Sequence, residues 1–191
     1  MKPQKRETLL TYPVKEHGTF LFARAVGADA RRSVEERVAA NAPISVLAID
    51  FGGVEAMTNS FIDELLGKLY LSVSAGDLSV GGVRLTGLNE ETRDGVTVCL
   101  ERRKQIAVDG DTNELLGDDA VLATTWATAR RLDGDFTAAQ LADELTISLP
   151  NANNRLKKLV EAGAIRRERG TGPQRGGKEF VYYVLQNVDE H

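Results

Sequence analysis

Two clusters of polar side chains in this 191-residue sequence have the chemistry to recognise other molecules. The first is Thr58, Asn59 and Ser60, directly before the leucine-rich segment 61–70. Hydroxyls at such a position cap the first turn of a helix, and they can also accept a phosphate. The second cluster, residues 148–158, combines three asparagines, one arginine and two lysines. Asparagine pairs bidentately with adenine and arginine with guanine, so this cluster contains side chains that can read DNA bases.

Catalytic and metal-binding residues are scarce. His17 and His191, the only histidines, are far apart, and Cys99 is the only cysteine, which excludes an internal disulfide. The acidic stretch 109–114 has oxygen ligands in a row but lacks the central glycine and final glutamate of a calcium loop. No glycine-rich stretch carries the Lys-Ser/Thr pair of a phosphate-binding loop. We therefore expect no catalysis, no metal and no cofactor.

Composition and charge predict a cytoplasmic protein with an anionic partner. The longest apolar runs, such as residues 44–49, are far shorter than the roughly 20 residues that span a bilayer. The N-terminal segment is basic but lacks the apolar core of a signal peptide. The formal net charge is −4, yet residues 147–182 contain eight Lys or Arg against three acids. A basic face in an acidic protein is typical of nucleic-acid binding.

The first half of the chain alternates strand and helix patterns. Apolar runs and helical stripes predict strands at 18–26, 44–49 and 82–88, and helices at 29–42, from residue 59 or 60 onward, and at 89–106. This alternation favours a small α/β layer over residues 18–107. Residues 1–17 are polar without a sustained period, so we predict that they form a loose arm or a poorly paired edge.

The second half has a different organisation. Residues 108–117 are acidic and turn-rich, which predicts a linker. Beyond it, at 118–191, the patterns predict helices at 118–134, 137–146 and 148–165, followed by a hairpin with a long basic tip. Thr137 and Ser148 are placed to cap the second and third helices, and Gly163 to end the third. The fold class predicted for the whole chain is α+β.

The segment "FTAAQLADELTISLPNANNRLKKLVEAGAIRR" resembles the winged helix-turn-helix domains of bacterial and archaeal transcription regulators. This resemblance covers residues 118–188 and implies binding of double-stranded DNA, with the first half of the third helix in the major groove. The wing and the end of that helix would contact phosphates or the minor groove. The implied DNA-binding residues are Ser148, Asn151, Asn153, Asn154, Arg155, Lys157, Lys158, Arg166, Arg167, Arg169, Arg175 and Lys178.

A second interpretation of the same domain remains open. Winged helices also serve as protein-interaction modules, and a basic wing can be a solvated hairpin. The domain would then dock a protein or form a dimer without touching DNA.

The segment "SVLAIDFGGVEAMTNSFIDELLGKL" resembles the STAS-like domains, whose relatives include bacterial anti-sigma-factor antagonists. The resemblance covers residues 18–107. It implies that Asp50 ends a strand, that Ser60 occupies the phosphoacceptor position, and that Thr58 and Asn59 belong to the same docking loop. Bulky Phe61 and the acids after it place "TNSF" closer to STAS-like families of undefined activity than to the antagonists.

Two roles for the hydroxyl cluster follow from these residues. In the first role, Thr58 or Ser60 only caps the helix, and Ser60 with Asp63 approximates a capping box. Alternatively, a phosphate on Ser60 would lie at a helix N-terminus, where free N–H groups and the helix dipole stabilise an anion. Such a phosphate would change the fit of a docked partner.

Together these resemblances imply a DNA-binding transcriptional regulator whose N-terminal domain senses or docks a protein. The family resemblance implies that this partner is an ATP-binding protein of the histidine-kinase-like superfamily. Reading two half-sites implies a homodimer, and the helix predicted at 118–134 is the candidate seam. The alternative is a signalling adaptor in a partner-switching pathway that does not bind DNA.

Overall fold

The computed structural model describes residues 8–117, 119–132, 134–170 and 180–185. Three parallel strands in the order β1-β3-β5 form the N-terminal sheet, and β2 pairs with β4 beside it. The strands are β1 (Leu9–Pro13), β2 (Phe20–Leu21), β3 (Ile44–Asp50), β4 (Ala56–Met57) and β5 (Val80–Thr86). Together with the helices described below, these strands confirm the α+β fold class.

Helices cover this sheet, as parallel strands joined by crossovers require. They are α1 (Arg24–Asn41), α2 (Asn59–Ile62), α3 (Lys68–Ala75) and α4 (Glu90–Arg103). A π-helical turn, Asp63–Gly67, joins α2 directly to α3. Leu47, Ile49, Leu65, Leu69 and Leu85 are fully buried between sheet and helices. The apolar stripe predicted from residue 61 onward therefore packs into the core of this N-terminal layer.

The C-terminal unit is a helical cluster closed by a second sheet. A two-stranded element, β6 (Ala107–Val108) with β7 (Leu115–Leu116), precedes α5 (Ala120–Ala129). Then follow β8 (Phe136–Thr137), α6 (Ala138–Leu145), α7 (Leu149–Glu161), β9 (Ile165–Arg169) and β10 (Phe180–Val184). The sheet order is β8-β10-β9. Trp126, Phe136 and Tyr182 are buried in its core, and the rings of Phe136 and Tyr182 lie 5.9 Å apart.

The N-terminal segment differs from the arm expected at residues 1–17. Residues 9–13 pair with β3 in parallel over five positions and form an edge strand of the main sheet. The strand expected at 18–26 is also corrected, because only Phe20–Leu21 is extended and α1 already begins at Arg24. Both differences arise from pairing with β3 and β4, which are distant in sequence.

The segment expected to be a linker, 108–117, is packed against the N-terminal layer. Asp109 is buried, forms an ion pair with Arg93 of α4, and accepts hydrogen bonds from the backbone N–H groups of Asp111 (2.8 Å) and Thr112 (3.0 Å). The backbone N–H of Gly110 donates to the carbonyl of Leu85 on β5 at 2.7 Å. The acidic residues here therefore order a turn instead of forming a solvated spacer.

Local capping signals agree with the structure at several helix ends. Asn89 forms a capping box at the start of α4, and Thr137 forms one at the start of α6. Within α4, Cys99 is buried. At α2 the cap is Thr58, whose Oγ1 accepts from the Phe61 N–H. The capping box expected between Ser60 and Asp63 is wrong, because Asp63 instead accepts from Arg103 at 2.5 Å.

A buried arginine joins the two layers. Arg84 of β5 is 3% exposed, and its guanidinium donates to the carbonyls of Val83, Gly163, Ala164 and Leu185 at 2.8–3.1 Å. The Val83 N–H also donates to the Gly163 carbonyl at 3.1 Å. These contacts between β5 and the turn after α7 are called the interlayer joint below. Through it, the end of α7 is held against the outer edge of the N-terminal sheet.

Candidate nucleic-acid interface

The pair α6 and α7 has the geometry of a helix-turn-helix. At the start of α6, the Gln140 N–H donates to Thr137 Oγ1 at 3.2 Å, and the Gln140 side chain accepts from the Thr137 N–H at 2.8 Å. The helix ends at Thr146, whose φ of 53° turns the chain, and the Ile147 N–H donates back to the Ala142 carbonyl. Pro150 lies in the first turn of α7, where no N–H is needed. The sequence therefore specifies both helix ends and the tight turn between them.

A Schellman motif ends α7. The Gly163 N–H donates to the Val160 carbonyl and the Ala164 N–H donates to the Leu159 carbonyl, both at 2.9 Å. Gly163 has a φ of 65°, and a Cβ built there would lie 2.8 Å from the Val83 nitrogen. Glycine is needed here both for the left-handed turn and for the close approach to β5.

The two faces of α7 differ in polarity. Ala152, Leu156 and Leu159 are fully buried against the C-terminal core. The predicted DNA-binding residues that are exposed on this helix or at its cap are Ser148, Asn151, Asn153, Asn154, Lys157 and Lys158. Packing therefore uses one side of the helix and leaves polar and basic side chains accessible on the other.

The accessible side chains form two groups and not one surface. Arg155 is half-buried; its Nε donates to Asn151 Oδ1 at 2.9 Å and its Nη1 to Thr125 Oγ1 at 3.3 Å. Lys158 lies 3.8 Å from the Asp119 carboxylate at the start of α5. Because residues at i, i+4 and i+7 share a helix face, Asn151, Arg155 and Lys158 form a row beside α5.

The second group points away from the core. Asn153, Asn154 and Lys157 are exposed, and Lys157 Nζ is 3.8 Å from the Glu161 carboxylate on the same helix. An exposed ion pair of this kind contributes little to stability, so Lys157 can exchange it for a phosphate. This group is called the outer face of α7 below.

The described part of the wing carries three of its five predicted cations. Arg166 is 3.2 Å from Glu168, and Arg167 stacks on the Phe180 ring with its guanidinium carbon 4.5 Å from the centroid. Arg169 is exposed and pairs across the ladder with Phe180. Arg175 and Lys178 lie outside the described residues.

One accessible residue at the tip of α7 was not in the predicted set. Leu149, the first residue of α7, is 48% exposed beside the cap residue Ser148. Within the described part of the chain, the Ser148 side chain makes no capping hydrogen bond, so its hydroxyl is available to a ligand. The signal that could have revealed Leu149 is its helical phase, which places it off the stripe formed by Ala152, Leu156 and Leu159.

The hydroxyl cluster of the N-terminal layer is partly engaged in local structure. Thr58 Oγ1 donates to the Phe22 carbonyl at 3.0 Å and accepts from the Phe61 N–H at 3.4 Å. The Ser60 hydroxyl is half-buried and lies 3.0 Å from Thr58 Oγ1, whereas Asn59 is exposed. Thr58 is therefore the cap, and Ser60 is the hydroxyl that capping does not require.

The acids after this cluster are neutralised by basic side chains. Arg103 holds the pKa of Asp63 below its usual range through a hydrogen bond. Lys68 and Arg24, each about 2.7 Å away, lower the pKa of Glu64 in the same way. A phosphate on Ser60 would thus approach two paired carboxylates and their cations, which weakens the repulsion that the sequence alone implies.

An exposed aromatic pair adjoins the hydroxyl cluster and was also not foreseen. Phe20 and Phe22 are 52% and 60% exposed, and their ring centroids are 6.1 Å apart. The Phe22 carbonyl accepts a hydrogen bond from Thr58 Oγ1, so the backbone of this aromatic segment adjoins the hydroxyl cluster. Aromatic side chains of this kind are enriched at the centres of protein interfaces.

Comparison with known families supports the helix-turn-helix. Residues 129–168, about a fifth of the chain, match the family model of a helix-turn-helix domain. The match runs from the end of α5 through α6 and α7 into β9, and it supports a DNA-binding domain in this part of the chain. Comparison with curated proteins finds no match, and comparison with solved structures finds none either.

Two negative findings concern the described residues. None of their helices combines the length and apolar character needed to cross a membrane. No group of three or more His, Cys, Asp or Glu among them is arranged to hold a metal ion.

Proposed function

We propose that this protein is a DNA-binding transcriptional regulator whose N-terminal layer docks a protein partner. The observation that carries the proposal is the helix-turn-helix match at 129–168, combined with a recognition helix whose outer face is polar, basic and accessible. A helix of this kind enters the major groove with its N-terminal residues against the bases.

The outer face of α7 supplies the proposed base contacts. Asn153 and Asn154 have the donor and acceptor needed for adenine, and Leu149 offers an apolar contact for the thymine methyl group. Lys157 and Arg169 are accessible for phosphates, which position the helix without reading sequence. Arg155 and Asn151, which bond to each other, have a positioning role in this proposal.

The N-terminal layer is proposed to be a STAS-like docking domain. Its parallel sheet, its strand ending at Asp50 and its hydroxyl-bearing helix start support this assignment. Phe20 and Phe22 provide the apolar centre of the docking surface, and Asn59 and Ser60 its polar edge. The proposed partner is a histidine-kinase-like ATP-binding protein, and phosphorylation of Ser60 would release it.

Two further features complete the proposal. Binding to two half-sites would require a homodimer, with α5 as part of the seam, because Val121 on that helix is 52% exposed. The protein would act in the cytoplasm, where DNA is accessible.

DNA binding is tested by selecting fragments of genomic DNA with the purified full chain. Asn153→Ala and Asn154→Ala should each reduce binding to the selected site by about 1–3 kcal/mol, the value of a good bidentate contact. Asn41→Ala, at the exposed end of α1, is the matched control and should change nothing. If the α7 variants bind like wild type, the proposed recognition helix is wrong.

The salt dependence of binding separates this proposal from its alternative. Affinity for the selected fragment should fall steeply with salt, because phosphate contacts release counterions. Lys157→Ala should reduce the slope of log K against log salt by about 1. Lys15→Ala, which removes an exposed lysine of the N-terminal layer, should leave the slope unchanged.

A second candidate function is the signalling adaptor, which the exposed Phe20 and Phe22 pair favours. In that case the winged helix would itself bind a protein, and DNA binding would be absent or insensitive to salt. Intact-mass measurement of protein from its native host tests the switch: a mass increase located at Ser60 supports phosphorylation. If Ser60 is unmodified under all growth conditions, the N-terminal layer docks its partner without a phosphate switch.

A further inference from the structure

The direction of Arg155 limits the bases that α7 can read. Its Nε donates to Asn151 Oδ1 at 2.9 Å and its Nη1 to Thr125 Oγ1 at 3.3 Å, so the guanidinium lies against α5. Thr125 is fully buried, and its hydroxyl donates in turn to the Val121 carbonyl at 2.8 Å. Arginine reads guanine by donating to O6 and N7 together. Here two nitrogens of the guanidinium donate within the protein, on a side of the helix that differs from its outer face.

The exposed side chains in the first two turns of α7 are all uncharged. In this helix, which the structure describes completely, they are Leu149, Pro150, Asn151, Asn153 and Asn154. Guanine is read by arginine or lysine and cytosine by an acid, so none of the five matches a G·C pair. Asparagine matches adenine, since it donates to N7 and accepts from N6. The chemistry of these two turns therefore favours A·T pairs.

The tip of α7 is apolar. Leu149 is 48% exposed, and Pro150 beside it is exposed as well. Thymine presents a methyl group in the major groove, whereas cytosine presents an amino group. An amino group against this tip would lose its hydrogen bonds with water and gain no partner, which costs free energy. The tip therefore favours thymine over cytosine.

Leu149 and Asn153 lie on one row of the helix surface, because residues four apart are neighbours. At a rise of 1.5 Å per residue they are about 6 Å apart along the helix axis. This distance is less than two base-pair steps of about 3.4 Å each. The bases that the two side chains contact would therefore belong to the same or neighbouring base pairs.

We propose that α7 reads a run of A·T base pairs and recognises a thymine in it by the methyl group. Asn153 and Asn154 bond to N6 and N7 of adenines, and Leu149 packs on the methyl group of a thymine in the same or a neighbouring pair. Lys157, one turn beyond Asn153, contacts a phosphate and adds no base preference. This inference rests on the proposed function, because it names the class of DNA that the outer face of α7 recognises.

The adenine contacts are tested on fragments of genomic DNA selected by the purified full chain. The positions that α7 reads are those whose base preference disappears when the selection is repeated with Asn153→Ala or Asn154→Ala. These positions should be A·T, and exchange of one for G·C should weaken wild-type binding by about 5- to 150-fold. Replacing the adenine by 7-deazaadenine, which lacks the N7 acceptor but still pairs with thymine, should weaken wild-type binding more than binding by the variant.

Deoxyuridine tests the methyl contact, because as a base it differs from thymine only by that group. Replacing the thymines of the selected site one at a time should weaken wild-type binding about fourfold at one position, the value of one buried methyl group. Leu149→Ala should bind thymine and deoxyuridine at that position equally well. Leu71→Ala, which replaces an exposed leucine of α3, is the matched control and should keep the fourfold difference. Each comparison is made within one protein, so a uniform loss of affinity in a variant cancels.

Arg155→Met tests whether this arginine reads guanine. The variant should show the same relative preferences among bases as wild type, even if its affinity for every fragment is lower. Loss of a guanine preference in Arg155→Met would show that Arg155 turns outward when DNA is bound, and it would overturn the proposal.

The results also distinguish this inference from the proposed function. The inference is overturned if G·C pairs occupy the positions set by Asn153 and Asn154, if deoxyuridine binds like thymine at every position, or if Leu149→Ala keeps the fourfold difference. In each of these cases DNA is still bound, so the regulator stands. If the full chain retains no DNA, the regulator and the A·T preference are both refuted.

Discussion

Replacing Arg84 tests whether the two layers unfold as one unit. Arg84→Met keeps an unbranched side chain of similar length but removes every donor that Arg84 supplies to the interlayer joint. Its guanidinium now serves the carbonyls of Gly163 and Ala164 after α7 and of Leu185 after β10. Among the described residues, the Gly163 carbonyl also accepts from the Val83 N–H, so it keeps one donor in the variant. The substitution removes the Arg84 donor from four carbonyls, including that of Val83, and it takes from the Ala164 and Leu185 carbonyls the donor that joins them to β5.

The expected cost follows from those two carbonyls. Each buried acceptor that loses its partner costs about 1–3 kcal/mol, which gives about 2–6 kcal/mol for the pair. Removing the buried guanidinium relieves its own desolvation penalty and offsets part of this cost. We expect a net loss of about 2–4 kcal/mol, a large fraction of the 5–15 kcal/mol typical of a folded domain.

Urea unfolding followed by two probes is the assay. Trp126, the only tryptophan, is buried in the C-terminal core and reports that unit through its fluorescence. Far-UV circular dichroism reports all helices of the chain. In wild type the two curves should coincide, and in Arg84→Met the fluorescence transition should move to lower urea and separate from the other. Arg102→Met, on the exposed face of α4, is the matched control.

Two results would refute this reasoning. If Arg84→Met unfolds at the wild-type midpoint, the carbonyl contacts do not stabilise the joint. If Arg84→Lys lowers the urea midpoint as much as Arg84→Met, the positive charge at this position contributes nothing beyond the planar arrangement of the guanidinium donors. Lysine keeps the charge, but it cannot donate to three carbonyls at once. We expect Arg84→Lys to lie between wild type and Arg84→Met.

Three other predictions concern stability and pH. Thr137→Ala removes the hydroxyl that accepts from the Gln140 N–H and should cost about 1 kcal/mol in urea unfolding, while Thr124→Ala, whose exposed hydroxyl bonds only within its own helix, should cost much less. Gly163→Ala should lower the free energy of unfolding more than Gly134→Ala, although φ is positive at both residues. A Cβ meets the Val83 nitrogen at residue 163 but open space at residue 134. Equal losses of stability would contradict the crowding at the interlayer joint. The lowered pKa values of Asp63 and Glu64 contribute stability that is complete above the ordinary carboxyl pKa of about 4 and is lost as pH falls below it. The urea midpoint should therefore drop on acidification, and Asp63→Asn should flatten that drop.

Features set by neighbouring residues could be predicted from the sequence. Thr137 and Gly163 were placed correctly at helix ends because caps and left-handed turns depend on residues within one turn, whereas Ser148 begins α7 without the capping hydrogen bond expected of its side chain. The buried stripe of α7 followed from helical periodicity in the same way. The family match now supports the helix-turn-helix that these signals indicated.

Features set by distant residues could not be predicted. Residues 9–13 lack a strand pattern of their own and are extended because β3 pairs with them. In the segment "GVRLTGL", Arg84 resembles any solvated residue of a strand. Yet the carbonyls to which it donates across the interlayer joint lie 79 to 101 positions later in the sequence. The acids at 109–114 suggested a linker because the partner that buries Asp109, Arg93, is on another element. In each case a non-local contact determined the local structure.

A small rotation at the interlayer joint would move the N-terminal tip of α7 further than its C-terminal end. Its C-terminal end is held by Arg84 and Val83, whereas its N-terminal tip, with Leu149 exposed, is about 20 Å away at 1.5 Å per residue over 13 residues. A tilt of roughly 10° at the joint would move the tip by about 3.5 Å, close to the rise of about 3.4 Å per nucleotide along the axis of the DNA duplex. A change of the joint by that amount would shift the outer face of α7 by one base step without changing a residue of the proposed DNA contact. If the proposed DNA contact holds, its position is therefore set by the hydrogen bonds of the interlayer joint.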